Sequence, residues 1–168
     1  MKAPLRSVLV AASLAACHSS TPAPAPEPDA ATSGQNTPAV TLERTPCFGR
    51  CPVYSVSISR SGLVTWEGKR FVSDSGADTA RIARDSVDSL LAELDKAGYF
   101  GLEDLYVSGA PACGLYATDL PSAITSVDDG DRSKRIQHDH GCSEAPRQLA
   151  ELEKRIDEVA GTSRWTGN

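Results

Sequence analysis

The chain has 168 residues, of which 40 % are hydrophobic and 23 % charged, and its formal net charge is −5. Those values fit one globular domain with appendages. They disfavour a protein that grips phosphate backbones, which needs clustered Lys and Arg, so no nucleic-acid partner is expected. No run of about 18 apolar residues is present to span a bilayer.

Lys2 and Arg6 flank the start of a brief apolar run from Val8 to Ala16. This is the layout of a secretory signal, too short for a membrane span. The run ends Leu14-Ala15-Ala16-Cys17: a branched residue, two small ones and a cysteine. Small residues let a peptidase close on the backbone, and the thiol can take a diacylglycerol. Residues 1–16 are therefore expected to be a bacterial lipoprotein signal, with Cys17 as the lipidation site. At about 0.8 kcal/mol per buried methylene, two or three acyl chains hold a protein on a membrane durably. His18, not aspartate, follows Cys17, which favours the outer over the inner membrane of the cell envelope. Residues 17–38, rich in Pro, Ala, Ser and Thr, lack large apolar side chains and read as a disordered stalk. Extended, such a stalk reaches roughly 60 Å.

Residues 39–165 read as one domain. Val40 to Arg44 is a strand candidate, followed by a tight loop from Thr45 to Pro52 with two prolines and a glycine. Tyr54, Val56 and Ile58 alternate with serines, predicting a half-buried strand. Ser61-Gly62 turns it into a second strand over 63–67, extended by residues 69–72, while 73–78 reads as loop. Val87, Leu90, Leu91 and Leu94 predict a helix capped by Asp85 and stopped by Gly98. A turn through Phe100, Leu102 and Leu105 to Tyr106 is expected to tuck under the sheet. Residues 122–127 and 135–140 predict a second hairpin around Asp128-Asp129-Gly130-Asp131. A second helix starts near Pro146, buries Leu149, Leu152, Ile156 and Val159, and stops at Gly161. The expected fold is α+β: a small antiparallel sheet of four to five strands in β-ββα-ββα order, with two helices on one face.

Few residues carry an obvious chemistry. No nucleophile elbow, phosphate loop or HExxH helix is present, so no catalytic residue and no cofactor is assigned. Asp119 reads as a turn cap. Asp128, Asp129 and Asp131 lack the spacing of a calcium loop and read as a solvated hairpin tip. Glu151, Glu153, Lys154, Asp157 and Glu158 are expected on the solvent side of the second helix, and His138 and His140 as exposed strand residues.

The block Arg44-x-Pro46-Cys47-Phe48-Gly49-x-Cys51-Pro52-x-Tyr54 resembles a bacterial family known as domain of unknown function 6438. The resemblance continues through Gly62-x-Val64-x-Trp66-x-Gly68 and Ala97-Gly98-Tyr99-Phe100-x-Leu102-x-Asp104-x-Tyr106. It ends in Thr118-Asp119-Leu120-Pro121, Leu149-x-x-Leu152-Glu153-x-x-Ile156-Asp157 and Trp165. It implies a secreted or lipid-anchored protein with no assigned activity, and implies that Cys113 and Cys142 were gained together as an extra pair.

With Cys17 lipidated, Cys47, Cys51, Cys113 and Cys142 remain, an even count that in an exported domain means two disulfides. Four cysteines allow three connectivities, which the sequence does not separate; Cys47–Cys51 with Cys113–Cys142 is favoured. Zinc held by these cysteines with His138 or His140 is the competing reading, but structural zinc sites show a close pair at each end, and Cys113 stands alone. A thiol-redox role for Cys47 and Cys51 is weakened by three intervening residues and flanking prolines. The expected function is a lipid-anchored, non-catalytic envelope module that binds a protein or cell-wall partner, with Phe48, Arg50 and Asp119 as candidate binding-surface residues. A thiol-redox or metal-binding protein using the Cys47–Cys51 loop is the alternative.

Overall fold

A computed structural model describes residues 36–167. The expected signal, Cys17 and all but the end of the expected stalk lie outside the described residues. No helix among the described residues is long and apolar enough to cross a membrane.

The fold is α+β. Its strands are β1 (Pro38–Arg44), β2 (Val53–Ser59), β3 (Leu63–Arg70), β4 (Gly76–Arg81), β5 (Leu105–Tyr106), β6 (Ser122–Asp128) and β7 (Ser133–Asp139). Its helices are α1 (Arg84–Lys96), α2 (Arg147–Ala160) and the short α3 (Ser163–Thr166). The strands form one sheet in the order β4-β3-β2-β1-β6-β7-β5. All neighbours are antiparallel except β5 and β7, which run parallel.

Seven strands replace the four to five expected. The extra ones have weak sequence signals: β4 pairs with β3 at the sheet edge and buries little, and β5 has only two residues. The segment 76–78, read as loop, belongs to β4. Helix α1 also departs from expectation at its start: Ala83 occupies the cap position with no side-chain hydrogen bond, and Asp85 lies inside the first turn.

Period-two alternation sends Val40 and Leu42 of β1, Val56 and Ile58 of β2, Val64 and Trp66 of β3, and Ala123 and Val127 of β6 into one buried cluster. Val87, Leu90 and Leu94 of α1 and Leu149, Leu152 and Ile156 of α2 join the same cluster. Helix α2 ends at Gly161, whose φ of 68° lies in the left-handed region that favours glycine. In the β2–β3 turn, Gly62 has φ 81°, and a Cβ there would meet the Ile82 carbonyl oxygen at 2.2 Å.

The register fixes which residues share an end of the sheet. Pro38 lies opposite Ser59, and Arg44 opposite Tyr54 and Ala123. Ala123 in turn pairs with His138. Chain entry at Pro38 therefore lies at one end, with the Ser59–Leu63 and Asp128–Ser133 turns. Arg44, Tyr54, His138 and the loop after β1 lie at the other.

Candidate functional site

At the Arg44 end the sheet's buried face changes from apolar to polar. The alternation that buries Val40 and Leu42 carries Arg44 inward next, and Ile136 shares its parity with His138 and His140. On α2, Glu153 lies four residues after Leu149 and three before Ile156, so helical spacing puts it on the apolar face. Asp157 follows one turn later. Strand ends and helix thus bring two carboxylates, a guanidinium and two imidazoles together.

The Glu153 side chain is 1 % exposed. One carboxylate oxygen lies 2.6 Å from His138 Nδ1, and the other 2.9 Å from His140 Nε2 and 3.3 Å from an Arg44 Nη. An ionised carboxylate only accepts, so both imidazoles turn an N–H toward it. Burial pushes the Glu153 carboxyl upward, but the hydrogen bonds and charge of His138 and His140 more than offset this and leave it below the ordinary range.

Arg44 also donates through Nε (3.2 Å) and Nη2 (2.8 Å) to a single Asp157 oxygen. The other Asp157 oxygen accepts from the Tyr54 hydroxyl at 2.6 Å and from Thr162 Oγ1 at 3.0 Å. Burial and the neighbouring Asp157 charge drive the Tyr54 phenol far above its usual value. The Tyr54 ring packs 4.6 Å from Trp66, which stacks at 5.1 Å on Trp165. Trp165 donates its indole N–H to Asp78 at 2.6 Å. Among the described residues, every buried side-chain nitrogen and oxygen has a partner.

These findings correct the sequence reading. His138 is buried at 5 % exposure and His140 is half-buried, not exposed strand residues. Glu153 and Asp157 face inward, whereas Glu151, Lys154 and Glu158 stay exposed.

Beside this network lies a cleft of about 340 Å³, lined among others by Arg44, Cys51, Pro52, Tyr54, Pro121 and Asp157. A larger depression of about 540 Å³ sits elsewhere, over Thr41, Ser55, Ser57 and Thr65 on the opposite face of the sheet. Its lining includes none of the buried charged network.

The loop after β1 contributes Cys51 and Pro52 to the first cleft. Cys47 is bonded to Cys51 within it. Thr45 N–H donates to the Ser122 carbonyl, and Phe48 N–H to the Asp119 carbonyl, tying the loop to the approach of β6. Phe48 is left 87 % exposed. Asp119 is exposed beside it, with φ 73°, and its side chain accepts from Thr118 Oγ1 rather than from a backbone amide. Arg50 leans away, 5.4 Å over the Phe71 ring. The structure thus brings Phe48 and Asp119 together and sets Arg50 aside.

The second bridge joins Cys113 to Cys142. It fastens the turn after β7 to the segment before β6. Ala117 N–H donating to Gly141 O, and Ser143 N–H donating to Leu115 O, reinforce it. The bridge holds the segment carrying His140 against the domain. The four cysteines among the described residues are engaged with one another, so none of them is available as a thiolate ligand to the histidines.

The acidic hairpin tip is internally bonded: Asp128 and Asp129 accept from the amides of Gly130, Asp131 and Arg132.

The family model described as Domain of unknown function (DUF6438) matches residues 38–160, which includes every residue of the network except Thr162 and Trp165. No curated protein matches the chain.

Proposed function

The chain belongs to the DUF6438 family, and from that premise we propose that it is a lipid-anchored protein of the bacterial cell envelope whose domain binds a protein or cell-wall partner at the Arg44–Tyr54–Asp157 cleft. The cleft carries the reading: it is a concave surface where a few fixed polar groups converge among apolar walls, the usual make-up of a ligand site. Arg44, Tyr54 and Thr162 all spend hydrogen bonds on Asp157. They form a preorganised wall better suited to recognition than to moving protons or electrons.

The position of the cleft supports the same reading. Chain entry at Pro38 lies at the far end of β1, about 20 Å from Arg44 at roughly 3.3 Å per strand residue. A domain tethered through a stalk ending at Pro38 has its cleft on the side away from the tether. Leu14-Ala15-Ala16-Cys17 supports lipidation at Cys17, and His18 supports outer-membrane placement. A thiol-redox role for the Cys47–Cys51 loop gains nothing from the fold: no helix begins between β1 and β2 to depress a thiol pKa.

Two experiments test the proposal. Metabolic labelling with palmitate should mark the chain and fail in Cys17→Ser. The immobilised full chain should recover one partner from solubilised envelopes, and Ser163→Trp, which puts an indole into the cleft that Ser163 also lines, should lose it. Equal recovery by both would remove the cleft from the account.

A further inference from the structure

The cluster of Glu153, His138 and His140 does not line the cleft, and its chemistry is separate from the binding proposed there. Its three ligand atoms, one from each residue, all lie within 4.8 Å of one another. The imidazole rings sit side by side, with centroids 4.6 Å apart and planes tilted by 32°. Three features distinguish this cluster from a chance surface group. Glu153 is 1 % exposed and His138 is 5 % exposed, so the donors are held by packing from a strand and a helix. Both carboxylate oxygens are directed at imidazole nitrogens, not at solvent. The His140 side chain is 30 % exposed, which leaves one side of the cluster open to water.

We propose that His138 Nδ1, His140 Nε2 and the Glu153 carboxylate form a binding site for one divalent transition-metal ion of the zinc class. Two imidazoles and a carboxylate suit borderline metals, with no thiolate required. Zinc bonds to such donors span roughly 2.0–2.2 Å. An ion at the centre needs each donor to shift by less than about an ångström from its hydrogen-bonded position. On binding, the two N–H protons now directed at Glu153 leave those nitrogens, so binding releases protons and weakens on acidification. The half-open side beside His140 leaves a fourth position for water. Arg44 does not forbid the ion: it donates twice to Asp157 and touches Glu153 only at 3.3 Å. The existing Arg44–Glu153 hydrogen bond would orient the metal-bound carboxylate.

The test is titration of zinc chloride into the purified full chain, after chelator treatment, in competition with a fluorescent zinc indicator. Saturation at one ion per chain is expected. Cobalt(II) in place of zinc should give visible bands of a low-coordinate nitrogen–oxygen site without thiolate charge-transfer absorption. His140→Gln, at a half-exposed position and with an amide that can still donate to Glu153, should weaken zinc binding by about tenfold or more and remain folded when metal-free. His18→Asn, which removes the third histidine of the chain, should bind as the wild type does. No saturable binding, or equal affinity in His140→Gln and wild type, would overturn the proposal.

Discussion

The two disulfides differ in what they contribute, and the difference is large enough to measure. Cys47 and Cys51 are 4 residues apart in sequence, and Cys113 and Cys142 are 29 apart. If a bridge acts mainly by restricting the unfolded chain, these loops contribute about 1.9 and about 3.6 kcal/mol. The longer loop encloses the whole β6–β7 hairpin, and its cysteines are 1 % and 7 % exposed. Replacing them by alanine also leaves a small void, so the longer-loop figure is a lower bound. The folded part has about 130 residues, and unfolding entropy near 2.1 cal/mol/K per residue converts the two losses into falls in Tm of about 7 and about 13 °C. Circular-dichroism melts of the full chain under non-reducing conditions, comparing Cys47→Ala/Cys51→Ala with Cys113→Ala/Cys142→Ala, read both numbers. An equal or larger fall for the short loop would refute the loop-entropy reasoning and give the β1–β2 loop a structural weight its exposure does not suggest.

Other substitutions probe the network and the core. Glu153→Gln removes the charge that accepts from two histidines and Arg44, and should lower stability by about 2–4 kcal/mol, read as a lower urea midpoint at unchanged m. Trp165→Ala deletes a ring stacked on Trp66 and bonded to Asp78; a loss of about 3–5 kcal/mol is expected, with altered fluorescence from Trp66. Burial pushes the Tyr99 phenol up to about 12, against 10.0 for a free one, with its Thr125 hydrogen bond only partly countering this. A raised phenol stabilises the fold fully below pH 10 and loses that contribution as pH climbs toward 12. Ultraviolet titration should therefore show Tyr99 ionising late, and the alkaline fall in stability should be shallower in Tyr99→Phe.

Much of this fold was legible because apolar alternation is strong where burial is one-sided. Tyr54, Val56 and Ile58 mark β2, and Leu149, Leu152 and Ile156 mark the buried face of α2. Strand β4 was not legible, since Gly-Ala-Asp-Thr-Ala-Arg buries little at the sheet edge and shows no pattern. The site was hidden by residue type, not by spacing. Glu153 fits between Leu149 and Ile156 on the buried face, and His138 and His140 share parity with the fully buried Ile136. Periodicity places all three inward, but charged and polar residue types suggested solvent. The partners that make their burial tolerable come from elsewhere: Arg44 lies 109 residues from Glu153. No local pattern announces a contact at that range.

Under the proposed function, this domain meets its partner at the end away from its tether. Photo-crosslinking in living cells tests it, with a photoreactive amino acid placed in the full chain either at Phe48, exposed in the loop whose Cys51 and Pro52 line the cleft, or at Asp131, an exposed residue in the turn at the Pro38 end. One discrete adduct is expected from position 48 and none from position 131. No adduct from position 48, or the same adduct from both positions, would contradict it.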